Sequence, residues 1–124
     1  MDPLFEKLNS VNTMMDAEHE LVSLGEAAVG RLETLLDGTS RNQWGIPYRD
    51  LGLPLHCALE IALRLGPIVK PLEPYIAAEL PGSETAARAL GALGALLPSS
   101  VEALALALEA DIFVASEAAR VLVQ

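Results

Sequence analysis

Residues 53–66 read LPLHCALEIALRLG. Within them Leu55, Ala58, Leu59, Ala62 and Leu65 recur at the three- and four-residue steps that line one face of an α-helix, and the run stops at the pair Leu65-Gly66. The same pair stands at Leu24-Gly25 and Leu93-Gly94. Each copy closes one amphipathic apolar stretch and opens another, the first two directly and the third after four residues. Self-similarity of this kind points to repeated helical hairpins, because one hairpin cannot bury its apolar face without a neighbour stacked on it.

After Gly66, Pro67 opens a helix with Ile68, Leu72, Ile76 and Leu80 at i+4 steps. Pro71 and Pro74 each remove a backbone donor and are expected to kink its start. Pro81-Gly82-Ser83 reads as a turn with Ser83 as N-cap, ahead of the stripe Ala86, Leu90, Leu93 and Leu97. Ser99 with Glu102 has capping-box spacing and precedes Val101, Leu104 and Leu108. Asp111 is the expected cap of a last helix with the stripe Ala115, Ala118, Ala119 and Leu122, and with Glu117 and Arg120 outward. The series Ala103, Ala105, Ala107, Ala110, Ala115, Ala118 and Ala119 permits close helix approach there.

On the N-terminal side, Asp2 before Pro3 is a cap and first-turn pair, followed by Leu4, Leu8, Val11 and Met15. Residues 3–24 fit either one helix or two broken near Asn12 and Thr13. Ser23 with Glu26 has capping-box spacing, ahead of a stripe of Ala28, Val29, Leu32, Leu35 and Leu36 that Asp37-Gly38 stops. Residues 37–54, DGTSRNQWGIPYRDLGLP, lack helical periodicity and hold three glycines and two prolines, so they read as a long inserted loop. No segment shows the two-residue alternation of a strand, and the expected class is all-α.

The stretches AAVGRLETLLDG (27–38) and LPLHCALEIALRLG (53–66), then PIVKPLEPYIAAEL (67–80) and TAARALGALG (85–94), resemble the HEAT-repeat family of helical hairpins. The resemblance covers roughly residues 20–124. It departs from the family in its period, since the Leu-Gly copies lie 41 and then 28 residues apart, a difference that matches the inserted loop. It implies a short right-handed α-α superhelix, one domain over residues 1–124, whose concave face or ridge loops bind proteins. HEAT-like folds also include enzymes, so fold alone does not set activity.

With 124 residues, 52% of them hydrophobic, the chain is long enough to bury a substantial core. The uncharged stretches Leu51 to Leu59 and Ala89 to Val101 fall short of the roughly 20 residues a membrane span requires, so no membrane association is expected. Glu6 and Lys7 precede any long apolar run, and no secretory signal is read, which makes a cytoplasmic protein the expectation. A single cysteine, Cys57, rules out an internal disulfide and a cysteine-built zinc site. Seventeen acids against eight bases give a net charge of −9, which repels phosphate backbones and argues against nucleic acid. The charge is uneven: residues 1–40 carry −6, residues 41–70 carry +2 and residues 71–124 carry −5.

The loop holds the only tryptophan, Trp44, together with Tyr48 and the bases Arg41 and Arg49. Trp, Tyr and Arg dominate interface hot spots because each covers a large area while keeping a polar handle. These four residues are the candidate partner-binding group. The competing reading is that Trp44 and Tyr48 fold back and plug the hydrophobic layer. His56 and Glu60 share a helix face at i, i+4, a spacing open to a metal or an acid-base pair and more simply to a capped, partly buried histidine. Cys57, next to His56, points about 100° away and makes no nucleophile-base pair with it. Asp16, His19 and Glu20 share a face that fits either a divalent ion or ordinary solvation. Asp16, Glu18, Glu20 and Glu26 offer a docking surface for a basic partner, or simply solubility.

There is no phosphate loop, no triad order and no metal spacing above chance. The chain is therefore read as a non-enzymatic protein-binding module without a cofactor, of the shape of an immunity or antitoxin protein that masks a basic partner. Self-association through the C-terminal hairpin is expected from its end, Val121-Leu122-Val123-Gln124, which lacks polar capping. The alternative is a small-ligand-binding or enzymatic HEAT-like protein using His56, Glu60 and the loop.

Overall fold

A computed structural model describes residues 2–80, 82–109 and 112–123. Among these the chain is all-α, with helices α1 (Pro3–Leu8), α2 (Met14–Ser23), α3 (Ala28–Leu36), α4 (Gly52–Leu65), α5 (Glu73–Ala77), α6 (Glu84–Gly91), α7 (Pro98–Ala107) and α8 (Ile112–Leu122). No strand is present among the described residues. One connected core runs from Leu4 to Val121.

The helix ends follow local chemistry. Asp2 caps α1 by accepting from Leu4 N (2.9 Å) and Phe5 N (3.4 Å), with Pro3 in the first turn. The N-terminal segment is two helices: Thr13 donates its hydroxyl to the Lys7 carbonyl (2.7 Å), which turns the chain between α1 and α2. Ser83 caps α6 through Ala86 N (3.0 Å). Gly25, Gly66 and Gly94, the three glycines of the Leu-Gly pairs, all have positive φ (57°, 65° and 95°), a conformation that side chains other than hydrogen resist.

Two expected capping boxes do not form. Ser23 is the last residue of α2 and its hydroxyl donates back to the Glu20 carbonyl (2.6 Å), while residues 25–27 make a 3-10 turn into α3. At α7 the N-cap is Leu97, not Ser99, and the capping carboxylate comes from another helix. Glu73 of α5, fully buried, accepts from Leu97 N (2.7 Å) and Ser100 and is paired with Lys70. Burial pushes its pKa up, but these three partners together hold the Glu73 carboxyl below the usual carboxylate range. The expected cap Asp111 lies outside the described residues, as do Pro81 of the turn, Ala110 of the alanine series and Gln124 of the chain end.

Several apolar stripes are rotated from their expected registers. The segment after Gly66 is a 3-10 stretch over Gly66–Leu72 and only then α5, because Pro71 and Pro74 supply no backbone donor. Tighter winding buries Val69, Leu72 and Ile76 and leaves Ile68 exposed. In α8 the buried face is Val114, Glu117, Ala118 and Val121, so Glu117 turns inward and Ala119 outward. Two features set that rotation. The Glu117 carboxylate meets Arg88 of α6 at 3.5 Å, and a Cβ on Gly91 would stand 2.9 Å from Val121 Cγ2, so only glycine admits α8 this close. In α7, Ser100, Leu104 and Ala107 are buried while Val101 and Leu108 face outward.

Helix α4 is central, packed by α1, α2, α3 and α6, and α6 in turn carries α5 and α8. This explains why α4 buries Pro54, Cys57, Ala58, Leu59, Ile61, Ala62 and Leu65, more than one stripe. It begins at Gly52, so the irregular loop ends at residue 51 instead of 54. Taken together Gly52–Ala77 is long and apolar enough to cross a bilayer by length and composition, longer than either uncharged stretch of the sequence. It is broken at Gly66, half of it is buried within the protein, and α4 alone is about 21 Å long at 1.5 Å per residue. A bilayer core is about 30 Å thick.

Candidate functional site

The loop between α3 and α4 is ordered by its own backbone. Ser40 N donates to Thr34 O (2.9 Å) and Tyr48 N to Ser40 O (3.1 Å), and Arg41 and Pro47 form an isolated antiparallel bridge. Beyond the bridge the chain closes a small hairpin around Asn42. Asn42 N donates to Ile46 O (2.9 Å), Gly45 N donates to Asn42 O (3.0 Å), and the Asn42 side-chain carbonyl accepts from Trp44 N (2.9 Å) and Ile46 N (3.0 Å). Gly45 takes positive φ (77°) at the turn, and Arg41 Nη1 donates to its carbonyl (3.0 Å). These are the side-chain-to-backbone bonds that asparagine supplies in tight turns.

The four candidate residues divide into two pairs. Trp44 is 74% exposed at the hairpin tip, with Ile46 exposed beside it and Arg41 exposed along one side. Tyr48, by contrast, is completely buried: its ring meets Phe5 edge-on (centroids 5.5 Å apart, 72° between planes) and its hydroxyl donates to Glu6. Burial and the Glu6 carboxylate push the Tyr48 phenol well above its ordinary range. Arg49 donates to the Leu36 carbonyl at the C-terminus of α3 (2.6 Å) and to Glu79 (2.7 Å). So the plug reading holds for Tyr48 and not for Trp44. Tyr48 and Arg49 form the pedestal, Arg41 and Trp44 the presented tip, and Tyr48 has no surface to offer a partner.

The second candidate group sits on α4. His56 Nε2 lies 3.1 Å from Glu60 Oε1, both partly exposed. His56 also borders an open cleft of about 270 Å³ with Gly52, Leu55, Leu59, Glu79 and Ser83. The carboxylates around it already have partners, Glu79 in Arg49 and Glu60 in His56. Cys57 is buried beneath this face, and burial together with Glu18 and Glu60 pushes its thiol up to about 12. A thiol so held is protonated near neutral pH and is a poor nucleophile. His19 reaches across to Arg64 (3.2 Å) instead of joining Asp16 and Glu20 around an ion, and among the described residues no group of three or more His, Cys, Asp or Glu is arranged to hold a metal.

Three acids are buried against expectation: Glu18, expected on an acidic docking surface, Glu117, expected outward, and Glu73, which no sequence pattern singles out. A signal existed for Glu18, which shares the helical face of Met14, Ala17 and Leu21. Acids are so rarely buried unpaired that such a position reads as solvated by default. Comparisons of the chain with family models, with curated proteins and with solved structures find no match.

Proposed function

We propose that the chain is a non-enzymatic protein-binding module that engages its partner through the 41–46 tip, with Trp44 as anchor and Arg41 beside it. The observation that carries this reading is the exposure of Trp44 on a turn whose backbone is already fixed by hydrogen bonds. An exposed indole held on a preorganised turn loses little entropy on binding, which is how aromatic anchors contribute most of an interface's energy. The net charge of −9 favours a basic partner for the acidic helices on either side of this short basic segment. A HEAT-like stack of hairpins would set the loop on a ridge, and positive φ at all three Leu-Gly glycines supports repeated junctions of one type.

The test is capture from the native cell with wild type, Trp44→Ala and Arg41→Glu as matched baits. Wild type is expected to retain a protein that Trp44→Ala loses, with both chains melting within a degree or two of each other. In surface binding, Arg41→Glu should slow association, whereas Trp44→Ala should speed dissociation. Arg49 does not belong in this set, because Arg49→Glu breaks two structural bonds. Equal capture by all three baits removes the reading.

Self-association through the last hairpin is part of the same proposal. Leu106 and Ile112 are 70% and 74% exposed on α7 and α8. Exposed apolar side chains at the end of a helical array are what a further layer would cover. Light scattering at rising concentration should show a mass above the monomer that Leu106→Glu with Ile112→Glu returns to 13.1 kDa. A wild-type monomer throughout ends this part of the proposal.

A further inference from the structure

The seam between α2 and α4 contains a group that no contact so far explains. The Glu18 side chain is 2% exposed, and its Oε2 is buried without a hydrogen-bond donor. Its other oxygen, Oε1, is 3.8 Å from Arg64 Nη1, an ion pair too long to be a hydrogen bond. The Glu60 carboxylate lies within hydrogen-bonding reach of Glu18 from α4. Two ionised carboxylates are both acceptors and cannot bond one another. A buried acceptor facing a second acceptor requires something between them, and a proton is the smallest candidate.

We propose that Glu18 and Glu60 share one proton across the α2–α4 seam, and that its loss loosens the N-terminal helix pair from the rest of the fold. The proton resides on Glu18, the more deeply buried of the two. Glu60 is 41% exposed and is stabilised from its far side by His56 at 3.1 Å, whereas Glu18 has no water to solvate a charge. Burial first, and then the charge and hydrogen bond of Glu60, raise the Glu18 carboxyl above its ordinary value against the opposing pull of Arg64 and of the Cys57 thiol, which donates to Glu18. Among the described residues no group of three or more His, Cys, Asp or Glu is arranged around the pair to hold a metal.

Of the charged groups on the surrounding elements, Asp16 and Glu20 of α2 and Glu33 of α3 are exposed to solvent. On α1, Glu6 accepts from Tyr48, and Lys7 contributes only its backbone carbonyl to Thr13. On α2, His19 contacts Arg64. On α3, Arg31 is bonded to Asp2. The turn before α4 commits Arg49 to Leu36, Glu79 and Asp50, the stretch after it pairs Lys70 with Glu73, and α6 pairs Arg88 with Glu84 and Glu117. Arg64 and the protonated Cys57 thiol are therefore the groups on α4, with Glu60 and His56 behind it, that set the titration.

The sign follows from linkage. A carboxyl whose pKa is higher in the folded than in the unfolded chain contributes stability that is fully present below the unfolded value, near 4.5, and is lost as pH rises through the folded value. The seam is thus tightest in mild acid. Glu73, whose carboxyl is held low, has the opposite sign and weakens the fold only as pH falls below the ordinary carboxylate range.

The test compares thermal midpoints of the full chain, wild type against Glu18→Gln, from pH 4.5 to 8. Glutamine keeps a donor for Glu60 and cannot ionise, so the variant should be the more stable at pH 7, by about 3 °C or more, with the gap closing towards pH 4.5. Parallel profiles overturn the proposal. Because a repacked seam could mask the shift in melting, carboxyl-carbon NMR of glutamate-labelled wild type gives a second reading. One resonance should titrate above the ordinary range and vanish in Glu18→Gln. If every carboxyl titrates normally, or if zinc or calcium raises the wild-type midpoint but not the variant's, the shared proton is not there.

Discussion

Tyr48→Ala should cost roughly 3 to 5 kcal/mol of stability, the range for removing a buried aromatic side chain, whereas Trp44→Ala, four residues away, should change it by less than about half a kcal/mol. The asymmetry is structural. Tyr48 is enclosed by the core, stacked edge-on against Phe5 and bonded to Glu6, so truncation opens a cavity between α1, α3 and α4 and leaves a carboxylate without its donor. Trp44 has most of its surface in water already. Urea unfolding followed by far-UV circular dichroism measures both. A loss on the scale of Tyr48 for Trp44→Ala would mean that the indole folds back onto the core, and the interaction site proposed at the tip would lose its anchor.

Leu90→Ala is expected to destabilise by about 2 to 5 kcal/mol, and Leu72→Ala by a similar amount. Leu90 is fully buried on α6, the helix that joins α4 to α8, so the space it leaves has walls fixed by three helices and little freedom to collapse. Leu72 closes the 3-10 stretch directly before Glu73. Its truncation should also disturb the carboxylate that caps α7, which makes the loss less local than for Leu90. For a domain whose total stability is of the order of 5 to 15 kcal/mol, either variant should shift the urea midpoint clearly. A change below about half a kcal/mol at Leu90 would place the core elsewhere.

The proposed interaction site was half legible. Trp44, Tyr48, Arg41 and Arg49 stand out by residue type and by lying in a loop, and the loop is where the structure exposes an indole. Residue type alone does not separate a presented aromatic from a buried one. What separates them is three-dimensional: Asn42 folds residues 42–46 into a turn that points Trp44 away, and the returning chain carries Tyr48 onto Phe5, 43 positions earlier. The Glu18–Glu60 pair was invisible for the same reason, since each acid looks solvated until α2 is laid on α4.

Local sequence by itself determined the all-helical class, the Leu-Gly junctions at Gly25, Gly66 and Gly94, the caps at Asp2 and Ser83 and the position of the irregular loop. Each depends on interactions within a few residues: helical periodicity, a side chain bonding the next backbone donors, a glycine accepting positive φ. Only the tertiary structure decided which face of α8 turns inward, which acids lose their water, and that α7 is capped by Glu73, 24 positions away, and not by Ser99. Those outcomes depend on how closely two helices approach and on which charge meets which across the gap. The close approach of Val121 to Gly91, which leaves no room for a Cβ, and the Arg88–Glu117 pair arise when distant segments meet, and no local pattern encodes them.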